Sequence, residues 1–192
     1  MSSKKRKSEI EKERKRKGKK SKQTIMKPFS FFNSPKQYIS NKKNFGLCDK
    51  EPPPHLPAYL DENNGKEWIA VVDNFYQSAI NFIALDNCII FSKPDGKQDK
   101  CCDGMLSYNS TVIFVELTTR TDSKWRKEKC EQLCATIKHF EDTKDSNNYK
   151  IKKAYIANNS RPKFKTSYEN QANRFRNDTR YVLRVQNRIE IG

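Results

Sequence analysis

The chain has 192 residues, and its 39 Lys and Arg outweigh 23 Asp and Glu to give a formal net charge of +16 at pH 7. This length fits one domain with a core and extensions, and it excludes two large domains. The charge predicts a polyanionic partner, usually nucleic acid. No stretch approaches the roughly 18 consecutive apolar residues of a membrane span, and the basic N-terminus lacks the apolar run of a signal peptide. We therefore expect a soluble protein without a membrane partner, cytoplasmic and nucleoid-associated, or nuclear if the source is eukaryotic.

Residues 1–24 form a low-complexity basic tail with 12 Lys or Arg and 3 Glu. Such a composition cannot bury enough apolar surface to offset the entropy lost on ordering, so the tail is predicted to be disordered. We interpret it as an arm that binds nucleic-acid phosphates, with a solubilising tail as the alternative. The residues expected to make these contacts are Lys4, Lys5, Arg6, Lys7, Arg14, Lys15, Arg16 and Lys17. Residues 25–62, which contain Phe-rich and Pro-rich segments, are predicted to be a linker.

The globular part is predicted to begin near Asn63. Either Asn63 or Asn64 can cap a helix over residues 66–84. Apolar residues recur at helical spacing through this stretch, namely Trp68, Val72, Phe75, Ala79 and Phe82. A short apolar run at residues 88–91 predicts the first strand, which the turn sequence of residues 93–96 closes.

Residues 100–108 and 111–118 are typical of two strands joined by the turn pair Asn109-Ser110. With that two-residue loop, Asp103 lies directly opposite Glu116 on one face of the hairpin. Opposed like charges about 5 Å apart are destabilising, and a divalent cation that bridges both carboxylates reverses the sign of the interaction. The pair therefore predicts a metal-dependent phosphodiester site. In the alternative interpretation the register differs by one residue, and the two acids lie on opposite faces.

The hydrophobic period changes after the hairpin. Asp122 or Ser123 can cap a second helix, whose apolar stripe consists of Trp125, Cys130, Leu133, Cys134, Ile137 and Phe140. A strand over residues 149–157 follows, and a strand–helix–strand unit normally pairs its strands in parallel. A short helix at residues 168–175 and an alternating strand at residues 181–191 complete the prediction. Basic residues cluster before that strand and predict a groove along the nucleic-acid backbone, or a solvated basic surface: Arg161, Lys163, Lys165, Arg174, Arg176 and Arg180.

Six cysteines in a chain without a secretion signal are predicted to be reduced thiols rather than a disulfide framework. Cys130 and Cys134 stand four residues apart on the second predicted helix, which leaves zinc as an alternative. Both lie on the apolar face beside Leu133 and Ile137, so burial as small residues is the preferred interpretation.

The predicted α-β-β-β-α-β order, with Asp103 on the second strand and Glu116 in the run FVELT on the third, resembles the PD-(D/E)XK nuclease superfamily. The similarity, to archaeal Holliday-junction resolvases and restriction-type nucleases, is topological and covers residues 64–157. It implies an α/β fold with a restriction-endonuclease-like core and a mixed sheet at residues 63–158. A basic C-terminal extension of helix and strand, residues 159–192, is expected to pack on that core.

Asp103 and Glu116 match the metal-binding pair of this family, which implies Mg²⁺ or Mn²⁺ as the cofactor. Glu67, at the start of the first predicted helix, matches an additional acid of several members, and Gln132 matches a glutamine near the site in others. Outside the family role, Glu67 is a first-turn acid favoured by the helix dipole and Gln132 a solvent-facing side chain. The lysine of the family falls at Thr118, which is neutral. Because that lysine migrates within the superfamily, the residues that can replace it are Lys124, Lys127, Lys129 and Arg120.

The resemblance implies a metal-dependent nuclease that hydrolyses phosphodiester bonds, with DNA favoured over RNA. Nothing in the sequence resembles a base-reading element, so we expect specificity to come from a larger protein partner; a homodimer is the other assembly considered. By analogy, a chain of this length suits the nuclease subunit of a defence or restriction system. One alternative is a catalytically inactive subunit that keeps the nuclease fold and binds nucleic acid, with Thr118 as the mark of a decayed site. Another is an RNA-associated protein in which the acids are incidental.

Overall fold

The computed structural model of the chain describes residues 30–50, 56–122, 124–160 and 168–192. The predicted contacts of residues 1–24 and those at Arg161, Lys163 and Lys165 lie outside the described residues.

The described part contains ten strands: β1 (Gln37–Ser40), β2 (Asn44–Cys48), β3 (Tyr59–Asp61), β4 (Ala70–Asn74), β5 (Ile80–Ala84), β6 (Gly104–Tyr108), β7 (Thr111–Thr118), β8 (Ile151–Asn158), β9 (Val182–Val185) and β10 (Arg188–Ile191). It also contains the helices α1 (Trp125–Glu141) and α2 (Tyr168–Thr179), and short 3-10 helices at Phe31–Asn33 and Lys144–Asn148. Within this part, no helix combines the length and the apolar character needed to cross a membrane.

The strands form two mixed sheets, and the protein is of the α/β class. The larger sheet has six strands in the order β1-β5-β6-β7-β8-β9. Strands β1, β5, β6 and β7 pair in antiparallel fashion, whereas β7, β8 and β9 run parallel to one another. The smaller sheet has the order β10-β4-β2-β3, and in it β10 is parallel to β4.

The six-stranded sheet is covered on both faces. On one face Phe114 and Ala154 pack with Phe140 of α1 and with Phe31. The neighbouring Val115 points the other way and packs into the core shared with the four-stranded sheet. Every residue of β7 is buried as a result. Strands covered on both faces have continuous rather than alternating apolar sequences, which matches the run of residues 112–117 except for Glu116.

The predicted hairpin is confirmed as β6 and β7, in the predicted register. Tyr108 pairs with Thr111 and Gly104 with Val115, so one further step along the ladder places Asp103 opposite Glu116. The second predicted helix is confirmed as α1, and the predicted parallel strand is confirmed as β8, which pairs with β7. These elements give the unit β5-β6-β7-α1-β8, in which three antiparallel strands, a helix and a parallel strand follow one another.

The prediction of a helix over residues 66–84 is wrong, because this stretch forms β4, a turn and β5. Val72 and Phe82 are buried, but Phe75 is 63% exposed at the turn. Two short strands buried on both faces produce apolar runs that periodicity alone does not distinguish from a buried helix. Tertiary pairing selects strands over a helix here. Strand β4 pairs with β2 and β10, and β5 pairs with β1 and β6.

Three other boundaries differ from the sequence predictions. Residues 88–91 form no strand; Phe91 is buried, Ile90 is 74% exposed, and β5 takes the place of the first strand. The segment predicted to be a linker contributes β1, β2 and β3, and its Phe31 is fully buried in the core. The last predicted strand is divided into β9, which belongs to the larger sheet, and β10, which belongs to the smaller one. Each difference arises from pairing between distant segments, which local sequence patterns do not encode.

Candidate functional site

Two carboxylates lie together where β6 begins and β7 approaches its end. Glu116 is 0% exposed and Asp103 is 5% exposed. Because side chains alternate along a strand, Glu116 shares with Phe114 the face of β7 that packs against α1. The backbone N–H of Leu117 donates a hydrogen bond of 2.6 Å to Oδ2 of Asp103. This bond fixes the Asp103 carboxylate beside β7.

The residue after Asp103 is a glycine for a steric reason. A Cβ atom at Gly104 would lie 2.5 Å from the ring of Phe82 and 2.9 Å from the carbonyl oxygen of Ile83. Both neighbours belong to β5, so Gly104 allows β6 to pack closely against that strand. Asp103 is therefore attached to a backbone position that has little freedom to shift.

Lys129, in the second turn of α1, completes the cluster. Its Nζ lies 2.7 Å from Oε2 of Glu116 and 3.7 Å from Oδ2 of Asp103. The Lys129 side chain is only 14% exposed. Among the four cations that the sequence offered as replacements for the missing lysine at Thr118, Lys129 is the one that contacts both acids.

The carboxylate of Glu116 is buried with one close cation. Oε2 lies 2.7 Å from the Lys129 ammonium, whereas Oε1 has no hydrogen-bond partner among the described residues. A buried acceptor left without a hydrogen bond costs about 1–3 kcal/mol, and more when it is charged. A buried carboxylate oxygen without a partner and a second carboxylate alongside offer oxygen ligands of the kind that a hard divalent cation takes.

The ionisation of the cluster is coupled. Burial raises the pKa of Glu116 well above its ordinary range, Asp103 raises it further, and Lys129 opposes both. Burial lowers the pKa of Lys129, but the charges of Glu116 and Asp103 outweigh it, with a contribution from Asp49, so the pKa of Lys129 is raised. The burial of Glu116 thus opposes its ionisation, and the positive charge of Lys129 favours it.

Helix α1 holds the segment that carries Asp103 through two polar side chains. Gln132 donates from Nε2 to the carbonyl oxygen of Cys101 at 3.2 Å. Oγ1 of Thr136 accepts from the N–H of Cys102 at 2.8 Å and donates to the carbonyl oxygen of Gln132 at 3.0 Å. Gln132 is thus turned toward the site, as the resemblance implied, and its side chain is half-buried rather than solvent-facing. Thr136 was not predicted, although its spacing of seven residues from Lys129 marks a polar stripe on a mostly apolar helix face.

Two other candidates, Glu67 and Arg120, lie outside this cluster. Glu67 is exposed in the connection between β3 and β4, where its Oε2 accepts from the Tyr59 hydroxyl at 3.1 Å, and the helix at whose start it was placed does not exist. Arg120 lies beyond β7 and pairs with Asp122 at 2.8 Å and Glu128 at 2.5 Å. These acids hold its guanidinium away from Glu116.

The C-terminal arginines are available to solvent. Arg174 and Arg176 are exposed on α2, and Arg180 is exposed just after it. Arg180 has a φ of 67°, and its N–H donates to the carbonyl oxygen of Arg176 at 2.8 Å, which ends the helix. No salt bridge joins any of the three to an acid among the described residues. Their charges are thus open to a polyanion.

The cysteines show no metal cluster. Over the described ranges, no group of three or more His, Cys, Asp or Glu is arranged to hold a metal ion. Burial raises the pKa of Cys130 to about 12, and its Sγ accepts from Nε2 of Gln171 at 3.1 Å. All six thiols are free. The remaining candidate is the two-carboxylate cluster with Lys129.

No family model, curated protein or solved structure matches this chain.

Proposed function

We propose that the chain is a metal-dependent nuclease that hydrolyses phosphodiester bonds, with its active site at Asp103, Glu116 and Lys129. One observation carries the proposal: Glu116 is fully buried beside a second acid and a lysine, and its Oε1 has no hydrogen-bond partner among the described residues. Buried ion pairs with a structural role usually satisfy their remaining lone pairs. An arrangement that does not is expected where a ligand supplies the missing interaction.

Asp103 and Glu116 would hold Mg²⁺ or Mn²⁺ through their carboxylate oxygens. When bound, such an ion lowers the pKa of a coordinated water and neutralises charge on the phosphate. The Leu117 amide orients Asp103 through its hydrogen bond. Gln132 and Thr136 hold the backbone just before Asp103. These contacts set the position of the carboxylate before any substrate binds, which is the form of preorganisation that catalysis needs.

Lys129 supplies the third element of the site. Its ammonium lies within 4 Å of both carboxylates, where it can stabilise negative charge that builds up on a scissile phosphate. In the resembled family this charge comes from the strand position that Thr118 occupies here. The proposal assigns it instead to α1, eleven residues further along the chain.

The charge of the chain supports nucleic acid as the substrate. A net charge of +16 favours a polyanion, and the exposed Arg174, Arg176 and Arg180 offer contacts to phosphates. We propose DNA in preference to RNA, with sequence choice left to a protein partner. A place in a defence or restriction system is part of this proposal by analogy.

The second candidate is an inactive subunit that keeps the fold and binds nucleic acid. The observation that favours it is the 2.7 Å contact of Lys129 with Glu116, because a resident ammonium already offsets part of the charge that a metal would neutralise. The two candidates differ in whether a divalent ion can displace this ammonium from the carboxylates.

The deciding experiment is a cleavage assay with the full chain. Linear, supercoiled and single-stranded DNA and RNA are incubated with Mg²⁺, Mn²⁺ or EDTA, using wild type, Asp103→Asn, Glu116→Gln and the control Glu67→Gln. We expect cleavage that needs metal, is lost in the first two variants and persists in the control. Cleavage that survives both site substitutions would overturn the site assignment. No cleavage of any substrate, with nucleic-acid binding retained, would favour the inactive subunit.

A further inference from the structure

A turn on the far side of the larger sheet presents two aromatic side chains to solvent. Phe75 is 63% exposed and Tyr76 is 79% exposed, at the connection between β4 and β5. Two large adjacent aromatics lose considerable hydrophobic stabilisation when they remain in water. Their exposure side by side is therefore a feature to be explained by what they contact.

The turn is built to hold these aromatics in place. Asn74 is fully buried, and its Nδ2 donates to the carbonyl oxygens of Ser78 at 2.8 Å and Lys42 at 3.2 Å. Its Oδ1 accepts from the N–H of Ser78 at 3.0 Å. Gln77 takes a φ of 50°, which is uncommon for a residue with a Cβ atom. A buried amide with three hydrogen bonds thus closes a rigid turn whose tip carries Phe75 and Tyr76.

A cleft of about 400 Å³ lies beside the turn and contains two basic residues. Phe75 and Tyr76 line it together with Lys153 of β8, Arg184 of β9 and the acid Glu190 of β10. Neither cation has a salt bridge to an acid among the described residues. Burial lowers the pKa of Lys153, the charge of Arg184 lowers it further, and the charge of Glu190 opposes both. Such a pair of cations is a binding position for an anion.

We propose that this cleft is an accessory site for single-stranded nucleic acid, with bases stacked on Tyr76 and Phe75 and a phosphate held between Lys153 and Arg184. Exposed aromatics with neighbouring cations are the combination that binds single strands without sequence preference. A protein partner would use the aromatics but would not need two unpaired cations beside them. The net charge of +16 also favours the polyanion.

The accessory site is separate from the carboxylate cluster. On the paired strands β7 and β8, Lys153 of the cleft lies opposite Ile113, whereas Glu116 of the cluster lies opposite Ile156. The two sites are therefore three residues apart along these strands. Tyr155 and Ile113 belong to the core shared with the smaller sheet, whereas Glu116 faces α1. The inference deepens the proposed function by naming where a strand is held, and it rests on that function only for the choice of nucleic acid.

The test is a binding measurement in EDTA, which is independent of cleavage. Fluorescence anisotropy with a labelled 20-nucleotide oligo-dT, and with a duplex of equal length, is run at 150 mM salt to weaken contacts that depend only on charge. We compare wild type, the double variant Phe75→Ala/Tyr76→Ala, Arg184→Gln and Tyr76→Phe. Ile90→Ala is the matched control, because Ile90 is similarly exposed at 74%.

We expect the aromatic double variant to bind oligo-dT at least about tenfold more weakly, since stacking is worth roughly 5- to 150-fold per base. Duplex affinity changes by less than twofold, and Tyr76→Phe and Ile90→Ala resemble wild type. Oligo-dT affinity within twofold of wild type in the double variant would overturn the proposal and assign the turn to a protein partner. If this loss occurs but no substrate is cleaved with metal, only the nuclease assignment fails. If cleavage occurs but the loss does not, only the accessory site fails.

Discussion

Two buried acids in this protein have opposite surroundings. Asp73 of β4 is 4% exposed, and its carboxylate accepts two hydrogen bonds from Arg188 at 2.9 and 2.5 Å and one from Asn44 at 2.7 Å. Glu116 of β7 is 0% exposed; its Oε2 contacts Lys129 at 2.7 Å, but its Oε1 accepts no hydrogen bond from a described residue. Both acids sit in strands and both face a cation, but only one is fully satisfied.

The difference separates a structural acid from a candidate functional one. Asp73 joins β10 and β2 to β4, which lies between them in the smaller sheet. The hydrogen bonds of Asp73 offset the free-energy cost of its burial. Glu116 gains less compensation, because Lys129 contacts its Oε2 and no described residue donates a hydrogen bond to its Oε1. Natural folds keep local violations of this kind mainly at functional sites.

The largest expected effect comes from removing the lysine of the site. We expect Lys129→Met to reduce the rate of metal-dependent cleavage about 100-fold, the typical loss when one group that stabilises transition-state charge is removed. Lys127→Met on the same helix and Lys124→Met just before it are matched controls, because both lysines are exposed. Single-turnover cleavage at saturating Mg²⁺ measures the effect. A rate for Lys129→Met equal to those of the controls would contradict the assigned role.

The second effect concerns the satisfied acid. Asp73→Asn is expected to lower the free energy of unfolding by about 1–2 kcal/mol, because it weakens two charge-assisted hydrogen bonds from Arg188. Urea unfolding at pH 7 measures it, and the midpoint should fall without a change in slope. Cleavage activity per folded molecule should remain at the wild-type level. An equal loss of activity and stability would show that the two acids do not have separate roles.

The third effect is the pH dependence of stability at Glu116. The pKa of Glu116 is raised in the folded protein, above an unfolded value of about 4.3. Its stabilising contribution is therefore complete below pH 4 and is lost as the pH rises toward the folded-state pKa. Glu116→Gln removes this loss, so its unfolding free energy should rise relative to wild type between pH 5 and 8. Urea unfolding in EDTA at both pH values tests this. A constant difference between the two proteins would contradict the burial effect.

The hairpin and its acids could be predicted because local patterns determine them. The turn pair Asn109-Ser110 and the β-branched run after it fix the register, and Asn109 indeed has a φ of 46°. Register then places Asp103 opposite Glu116 without knowledge of the rest of the fold. Helix α1 could be predicted equally well, because its apolar stripe has helical spacing over seventeen residues.

The smaller sheet could not be predicted because distant segments build it. Strand β10 pairs with β4, so that Arg188 lies beside Val71. The sequence of neither strand indicates that the two will pair. Residues 66–84 mimic a helix for this reason, since buried strands with apolar residues on both faces satisfy several periods at once. The sequence also could not show which of the four candidate cations contacts the two acids. This depends on how α1 packs over β7, which is a matter of tertiary contacts.

The most direct test of the central claim is the binding of Mn²⁺, measured by isothermal titration calorimetry in the absence of nucleic acid. Wild type, Asp103→Asn, Glu116→Gln and Asp73→Asn are compared at pH 7.5. The account predicts one Mn²⁺ bound per chain in wild type and in Asp73→Asn, and affinity at least about tenfold weaker in the two site variants. Equal binding by wild type and Glu116→Gln, or no binding by wild type, would contradict it.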